Sequence, residues 1–224
     1  MPRIRVIVGA IALLLAGLQY LAAETVSAAV FRPAYDYAQN YISDLGVADC
    51  GVVYSGREIC SPLATLMNVG FIVDGALFFI GSVLLATLFP GALKYVFLGA
   101  ALLHGIGNVI VGLFDETTPA AGAAPSIHVV GALLAILFGN VAAILAGASA
   151  LLHRWRALGV AGIALGTLGI VSLVMFVFNG VGLPQGLVER FSVYPITASE
   201  ILFGTTILVI CWSRRAARYP RVDS

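Results

Sequence analysis

The stretch Ile127–Leu152, IHVVGALLAILFGNVAAILAGASALL, contains no Asp, Glu, Lys or Arg. A helix crosses the hydrocarbon core of a bilayer, about 30 Å, in about 20 residues, so this run predicts a transmembrane helix. Reading outward, five more segments qualify: approximately Ile4–Ala23, Pro62–Phe89, Leu93–Phe114, Ala157–Phe178 and Phe191–Trp212. Their connectors differ. The one from Glu24 to Ser61 is long, those near Pro90 and His153 are tight, and those near Pro119 and Pro184 are intermediate, with Gly and Pro at most breaks. Segments of this length suit helices rather than outer-membrane strands, which alternate over about ten residues.

Composition agrees. Of 224 residues, 60% are apolar and 10% charged, with a mean hydropathy of +1.02. The chain carries 12 basic and 11 acidic residues, against about 56 charges in an average soluble chain of this length. So few charges cannot cover a water-facing surface, which excludes a soluble enzyme, intrinsic disorder and nucleic-acid binding; a net charge of +1 points to no polyanionic partner. The expected fold is all-α: one integral membrane domain over 1–224, a bundle of six transmembrane helices.

The charges also orient the bundle. Arg3, Arg5, Lys94, Arg154, Arg156, Arg214, Arg215, Arg218 and Arg221 fall on one side; only Arg32, Arg57 and Arg190 fall on the other. By the positive-inside rule both termini are cytoplasmic. The opposite loops carry Glu24, Asp36, Asp44, Asp49, Glu58, Asp115, Glu116 and Glu189. Cys50 and Cys60 both lie in the long outer loop 24–61, where an oxidising compartment would join them and close a small cap, leaving Cys211 free. Tyr35, Tyr37, Tyr41 and Tyr54 in that loop are expected at the headgroup level. The N-terminal run before Val26-Ser27-Ala28 imitates a signal peptide but is long enough to be retained as a helix. One lysine against eleven arginines suits a GC-rich bacterial genome, so the expected location is a bacterial inner (plasma) membrane.

Small residues recur at helical spacing: Gly159, Gly162, Gly166 and Gly169 on the fifth segment, and Gly131, Ala135, Gly139, Ala142 and Ala146 on the fourth. Such faces let backbones approach closely in lipid, which predicts a tight bundle without a wide pore.

Ionisable groups at membrane depth are costly, so each is a candidate for function. Asp74, His104 and Glu200 lie roughly 18, 15 and 14 Å from the outer helix ends at about 1.5 Å per residue, and so are able to meet. His104 and Asn108 stack at i, i+4, and Asp115, eleven residues beyond His104, returns to that face. At the outer ends, His128 near Asp115 is a candidate general base or acid, and Ser43 with Asp44 a candidate nucleophile or a local turn cap. Glu189 and Arg190 form an ion pair with each other or hold an anionic headgroup through the guanidinium. A metal site would need His104, His128 and Asp115, which lack diagnostic spacing, and no motif announces a cofactor; none is expected.

Asn40-Tyr41-Ile42-Ser43-Asp44-Leu45-Gly46, followed by Pro62-Leu63-Ala64-Thr65-Leu66-Met67-Asn68, resembles the DUF998 family of multi-pass bacterial and archaeal membrane proteins. Gly112-Leu113-Phe114-Asp115, His128 and Gly186-Leu187-Val188-Glu189-Arg190-Phe191 sit where that family places an acidic turn, a histidine heading a helix and a Glu-Arg pair. The Tyr-Ile-Ser-Asp string is also similar to one in eukaryotic autophagy-modulator and GPI-lipid-remodelling membrane proteins. The DUF998 resemblance implies six spans and an outer cluster of Ser43, Asp44, Asp115, His128, Glu189 and Arg190, but no activity; the Cys50–Cys60 insertion departs from its pattern. The leading expectation is binding or processing of a membrane lipid or lipid-linked headgroup at this cluster. The alternatives are a proton-coupled transporter using Asp74, His104 and Glu200, and a non-catalytic assembly partner.

Overall fold

A computed structural model describes residues 2–54, 56–118, 126–178 and 182–216; Pro119, Arg218 and Arg221 lie outside them. Its helices are α1 (Pro2–Ala29), α2 (Ala64–Leu85), α3 (Leu93–Leu113), α4 (Ile127–Leu152), α5 (Arg156–Val177) and α6 (Gln185–Ala216). All six contain a stretch long and apolar enough to span a membrane. The chain is therefore an integral membrane protein built as a six-helix bundle.

The helices turn many of their branched aliphatic residues outward and most of their polar and many of their small residues inward. On α2, Val69, Val73 and Ile80 are exposed, whereas Gly70, Asp74, Gly81 and Ser82 are buried. Lipid gives no hydrophobic drive between helices, so close backbone contact and hydrogen bonds must hold the bundle. Helices adjacent in sequence pack together, and α6 returns to close on α1. A Cβ at Gly107 would run into the α4 backbone at Ala135 and Gly131, and one at Gly166 into that of Asn140. The small-residue faces of α4 and α5 thus serve contacts within this bundle. Helix α5 packs against α4 and α6 from outside and lines neither of the two interior cavities described below.

Between α1 and α2 lies the cap. It contains a 3-10 turn at Ser43–Gly46 and the antiparallel hairpin β1 (Val52–Tyr54) and β2 (Arg57–Ile59), with Cys50 and Cys60 joined in a disulfide. Gly56 in the hairpin turn has φ +78°, a left-handed conformation open to glycine at no steric cost. The cap's underside, Phe31, Ile42, Leu45, Val47 and Ile59, is buried in one cluster with Tyr20, Met67 and Phe71.

Two helices run further than expected. Helix α1 continues through Glu24 to Ala29, taking in Val26-Ser27-Ala28, and α6 begins at Gln185, so that Glu189 and Arg190 lie on the helix. Glu24, Glu189 and Arg190 are therefore buried helical residues, not loop residues. The hydropathy pattern misses this because charged residues end an apolar run, whereas here Glu24 pairs with Arg190 and Glu189 accepts the Ile42 N–H inside the bundle.

Candidate functional site

Three polar clusters occupy the interior, and their hydrogen bonding differs. The outermost is held by the cap. Arg57, projected by the hairpin, donates to both Asp44 oxygens at 2.9–3.2 Å and reaches Glu116 Oε2 at 3.5 Å, with its guanidinium 3.5 Å above the Tyr41 ring. Asp44 also accepts from Asn40 Nδ2 at 2.8 Å and the Tyr41 N–H at 3.0 Å, and Ser43 Oγ donates to Glu116 at 3.0 Å. Burial, followed by the neighbouring Asp44, pushes the Glu116 carboxyl up to about 10. Burial also opposes ionisation of Asp44, but hydrogen bonding with Glu116, Arg57 and Asn40 outweighs it and holds Asp44 below its ordinary value. At neutral pH this is one ion pair beside one protonated acid, neutral as a whole.

The second cluster surrounds Arg190. Its Nη1 donates to the carbonyls of Tyr37, Asn40 and Gly186 at 2.7–2.9 Å, and its Nη2 to Glu24 at 3.3 Å and to the Tyr35 hydroxyl. Glu24 also accepts from Tyr194 at 2.9 Å, and Glu189 accepts the Ile42 N–H. Tyr35 and Tyr37 lie 5.3 and 5.0 Å from the guanidinium. The expected Glu189–Arg190 pair is not formed, because consecutive helical side chains diverge; Arg190 pairs with Glu24 of α1 instead. Tyr35, Tyr37 and Tyr41 cover arginines rather than simply marking a headgroup layer.

The third cluster lies deeper, where α2, α3 and α6 converge on Asp74, His104 and Glu200. His104 Nε2 is 3.6 Å from Asp74 Oδ2, and the Asn108 amide bridges the two at 3.0 and 3.2 Å. His104 Nδ1 lies 2.7 Å from the Ala135 carbonyl. A carbonyl only accepts, so Nδ1 carries the hydrogen and Nε2 faces the acids. One ligand-type atom from each of Asp74, His104 and Glu200 falls within a group spanning 4.8 Å. Three glycines make room: a Cβ at Gly139 would strike the His104 ring, one at Gly75 would strike Asn108, and one at Gly17 would approach Glu200 Oε2 to 3.2 Å. All three acid and imidazole side chains are buried, yet Asp74 Oδ1 and both Glu200 oxygens lack a hydrogen-bond partner.

Two cavities of about 50 Å³ meet this cluster. The cap-side cavity runs from Ser43, His128 and Glu189 down to Asp74 and His104. The other, almost wholly apolar, runs from Glu200 towards His153 and Trp155 at the opposite end. Each has room for a few waters and none for a headgroup. Ile196 lines both.

The remaining site expectations fare unequally. His104 and Asn108 stack as read, but Asp115 does not continue their stripe, because α3 stops at Leu113 and Phe114 is extended. His128 Nδ1 donates to the Phe114 carbonyl at 2.6 Å, while Asp115 accepts from the Thr117 N–H and hydroxyl; a carboxylate does not orient the histidine. The ligand set His104, His128 and Asp115 is not brought together, and among the described residues Asp74, His104 and Glu200 are the group with metal-holding geometry. Glu24, Arg57 and Glu116, which complete these clusters, carry no motif that marks them as candidates in the sequence.

The profile described as "Protein of unknown function (DUF998)" matches residues 14–206. The chain belongs to the DUF998 family. No curated protein and no solved structure matches it. The family match covers all three clusters of this DUF998 protein but assigns chemistry to none, so any function must come from the interior geometry itself.

Proposed function

We propose that this DUF998 protein binds a small inorganic cation inside the membrane and passes it between the two faces, the cap facing outward as the basic-residue distribution indicates. The observation that carries this reading is the set of three buried carboxyl oxygens, on Asp74 and Glu200, for which no other described side chain or backbone group is a hydrogen-bond partner. A buried orphan acceptor costs about 1–3 kcal/mol, more if charged, and such groups call for an unseen water or ion. The cluster lies between two small cavities that approach it from opposite ends, the geometry of an occluded site. Helix α6, which supplies Glu200, also contains Pro195, five residues earlier, and proline weakens a helix where transporters bend.

A headgroup site fits the geometry less well. Arg190 and Asp44 spend their hydrogen bonds within the protein. Ser43 is bonded to Glu116 and His128 to Phe114, with no Ser43–His128 bond to activate a nucleophile. The test is cation uptake into vesicles containing the purified full chain, across Na⁺, K⁺ and first-row divalent ions. Uptake above protein-free vesicles for at least one ion, abolished by combining Asp74→Asn with Glu200→Gln in a protein that elutes as wild type, is the expected result. Uptake of every ion at the protein-free rate, or unchanged by the double variant, overturns the reading.

A further inference from the structure

The donor set says which cation. Building on the cation reading, we propose that Asp74, His104 and Glu200 form a site for a first-row divalent metal ion. Charge comes first. Two carboxyls enclosed by apolar helices, with no Lys or Arg among the described residues in contact with them, reach neutrality by holding protons or by holding cations. A divalent ion replaces both protons and leaves the pair neutral; a monovalent ion leaves it neutral only while one acid keeps its proton, so the divalent ion is the one that uses both carboxylates as ligands. Ligand type comes second. Ca²⁺ takes six to eight oxygen ligands and Mg²⁺ keeps a near-octahedral shell of waters, for which a 50 Å³ cavity beside an imidazole is poorly suited. An imidazole nitrogen with two carboxylates suits the later first-row ions.

Geometry comes third. Ligand atoms about 2.0–2.2 Å from one ion lie about 3–4 Å from each other. His104 Nε2 and Asp74 Oδ2 already stand 3.6 Å apart, and the full set spans 4.8 Å, so closure asks for a side-chain rotation rather than a helix movement. His104 is also oriented as a ligand: its Nδ1–H is fixed on the Ala135 carbonyl, the outer-shell arrangement typical of ligating histidines, and its Nε2 lone pair, which accepts from Asn108 Nδ2 here, faces the acids where an ion would take the place of that hydrogen bond. Asn108, bonded to both Asp74 and His104, holds the two in register. Three protein ligands leave a position open on the cap-side cavity, as an exchangeable ion requires.

The experiment titrates tag-free, chelator-treated full chain in detergent micelles with Co²⁺ alone, followed by Zn²⁺. The expected result is one equivalent of Co²⁺ with visible ligand-field absorption, its displacement by Zn²⁺, and a rise in wild-type Tm with Zn²⁺. Asp74→Asn, His104→Gln and Glu200→Met each weaken binding by at least about tenfold, while Glu116→Gln, in the cap, binds as wild type. The Glu200→Met variant guards against misfolding, since it replaces an orphan acid with an apolar side chain suited to the interior. Failure of wild-type protein to bind Co²⁺ or Zn²⁺, or equal binding in all three ligand variants, overturns the assignment. Absence of metal binding with a Glu200-dependent Na⁺ or K⁺ flux overturns the metal alone; stoichiometric binding without flux upholds the metal and removes transport.

Discussion

Arg190 and Glu200 lie on one helix, are equally hidden from solvent, and are each within reach of oppositely or similarly charged partners from α1 or α2. Arg190 makes five hydrogen bonds to three carbonyls, a carboxylate and a phenol. Glu200, about three turns deeper, accepts none. A buried charge so nearly saturated acts as a rivet: it fixes how α6 meets α1 and the cap, and of its three nitrogens only Nε is left unbonded. An unsaturated one pays for burial without local return, which is tolerable where something else arrives to satisfy it. At the cap end each charged group leaves at most one buried polar atom unbonded, Glu116 Oε1 and Arg190 Nε, whereas Glu200 leaves both oxygens, and this difference is open to measurement.

The largest effect belongs to Arg190. Replacing it with Met strands Glu24, the Tyr35 hydroxyl and three carbonyls, and breaking a buried pair from one side costs about 3–5 kcal/mol. Arg190→Met should lower the unfolding free energy in micelles by that amount, seen as a lower midpoint, or abolish expression of folded protein. Arg190→Lys should recover little, since an ammonium cannot supply the fork that reaches Tyr37, Asn40 and Glu24 together. A midpoint equal to wild type in either variant would break the comparison, for Arg190 would then be no more structural than Glu200.

The cap gives a smaller, pH-dependent effect. Glu116 titrates in the folded state near 10, above its unfolded value, so stability falls as pH climbs from the ordinary carboxyl range towards that value and the acid must ionise beside Asp44. Asp44 is shifted the other way, so its contribution is present above its ordinary value and lost as pH falls below it. Thermal unfolding followed from mildly acidic to alkaline pH should show the wild-type midpoint declining on the alkaline side. Glu116→Gln, which keeps an acceptor for Ser43 and removes the ionisation, should flatten that limb. An equal alkaline decline in both proteins would remove Glu116 from the account.

How far these clusters were legible in the sequence follows from their distances along the chain. The six spans and the Cys50–Cys60 bridge were readable because apolar runs and cysteine spacing are local signals. The meeting of Asp74, His104 and Glu200 was readable too, since depth counts at a fixed rise per residue and few polar residues compete for the middle of the bundle. Glu24–Arg190 spans 166 positions and Arg57–Glu116 spans 59, and no periodicity connects such partners. The pairing of Glu24 with Arg190 also hides the true helix ends: Glu24 reads as the start of the long loop and Arg190 as the residue before the sixth span, because charge marks the boundary of an apolar run. Arg57 was the hardest to read, resting on strands of three residues, too short for alternation to register. A signal was present nonetheless: Arg57 and Arg190 are two of the three basic residues on the acidic side, and each proved to be the hub of a network.

The smallest expected effect sharpens the comparison most. If Glu200 is held for a visiting ion rather than for the fold, its carboxylate contributes desolvation cost without hydrogen bonds in return. Glu200→Met, similar in length and free of polar atoms, removes that cost and keeps packing beside Gly17 and Ile196. Replacing buried charge by a well-fitted apolar side chain is often neutral or stabilising, so the unfolding free energy of this variant, measured without added ions, should be unchanged or raised by about 1 kcal/mol. The same measurement with Zn²⁺ should then raise wild type and leave Glu200→Met where it was. A loss approaching that of Arg190→Met would mean that Glu200 supports the fold through its carboxylate, and the two regions would then differ in depth rather than in kind.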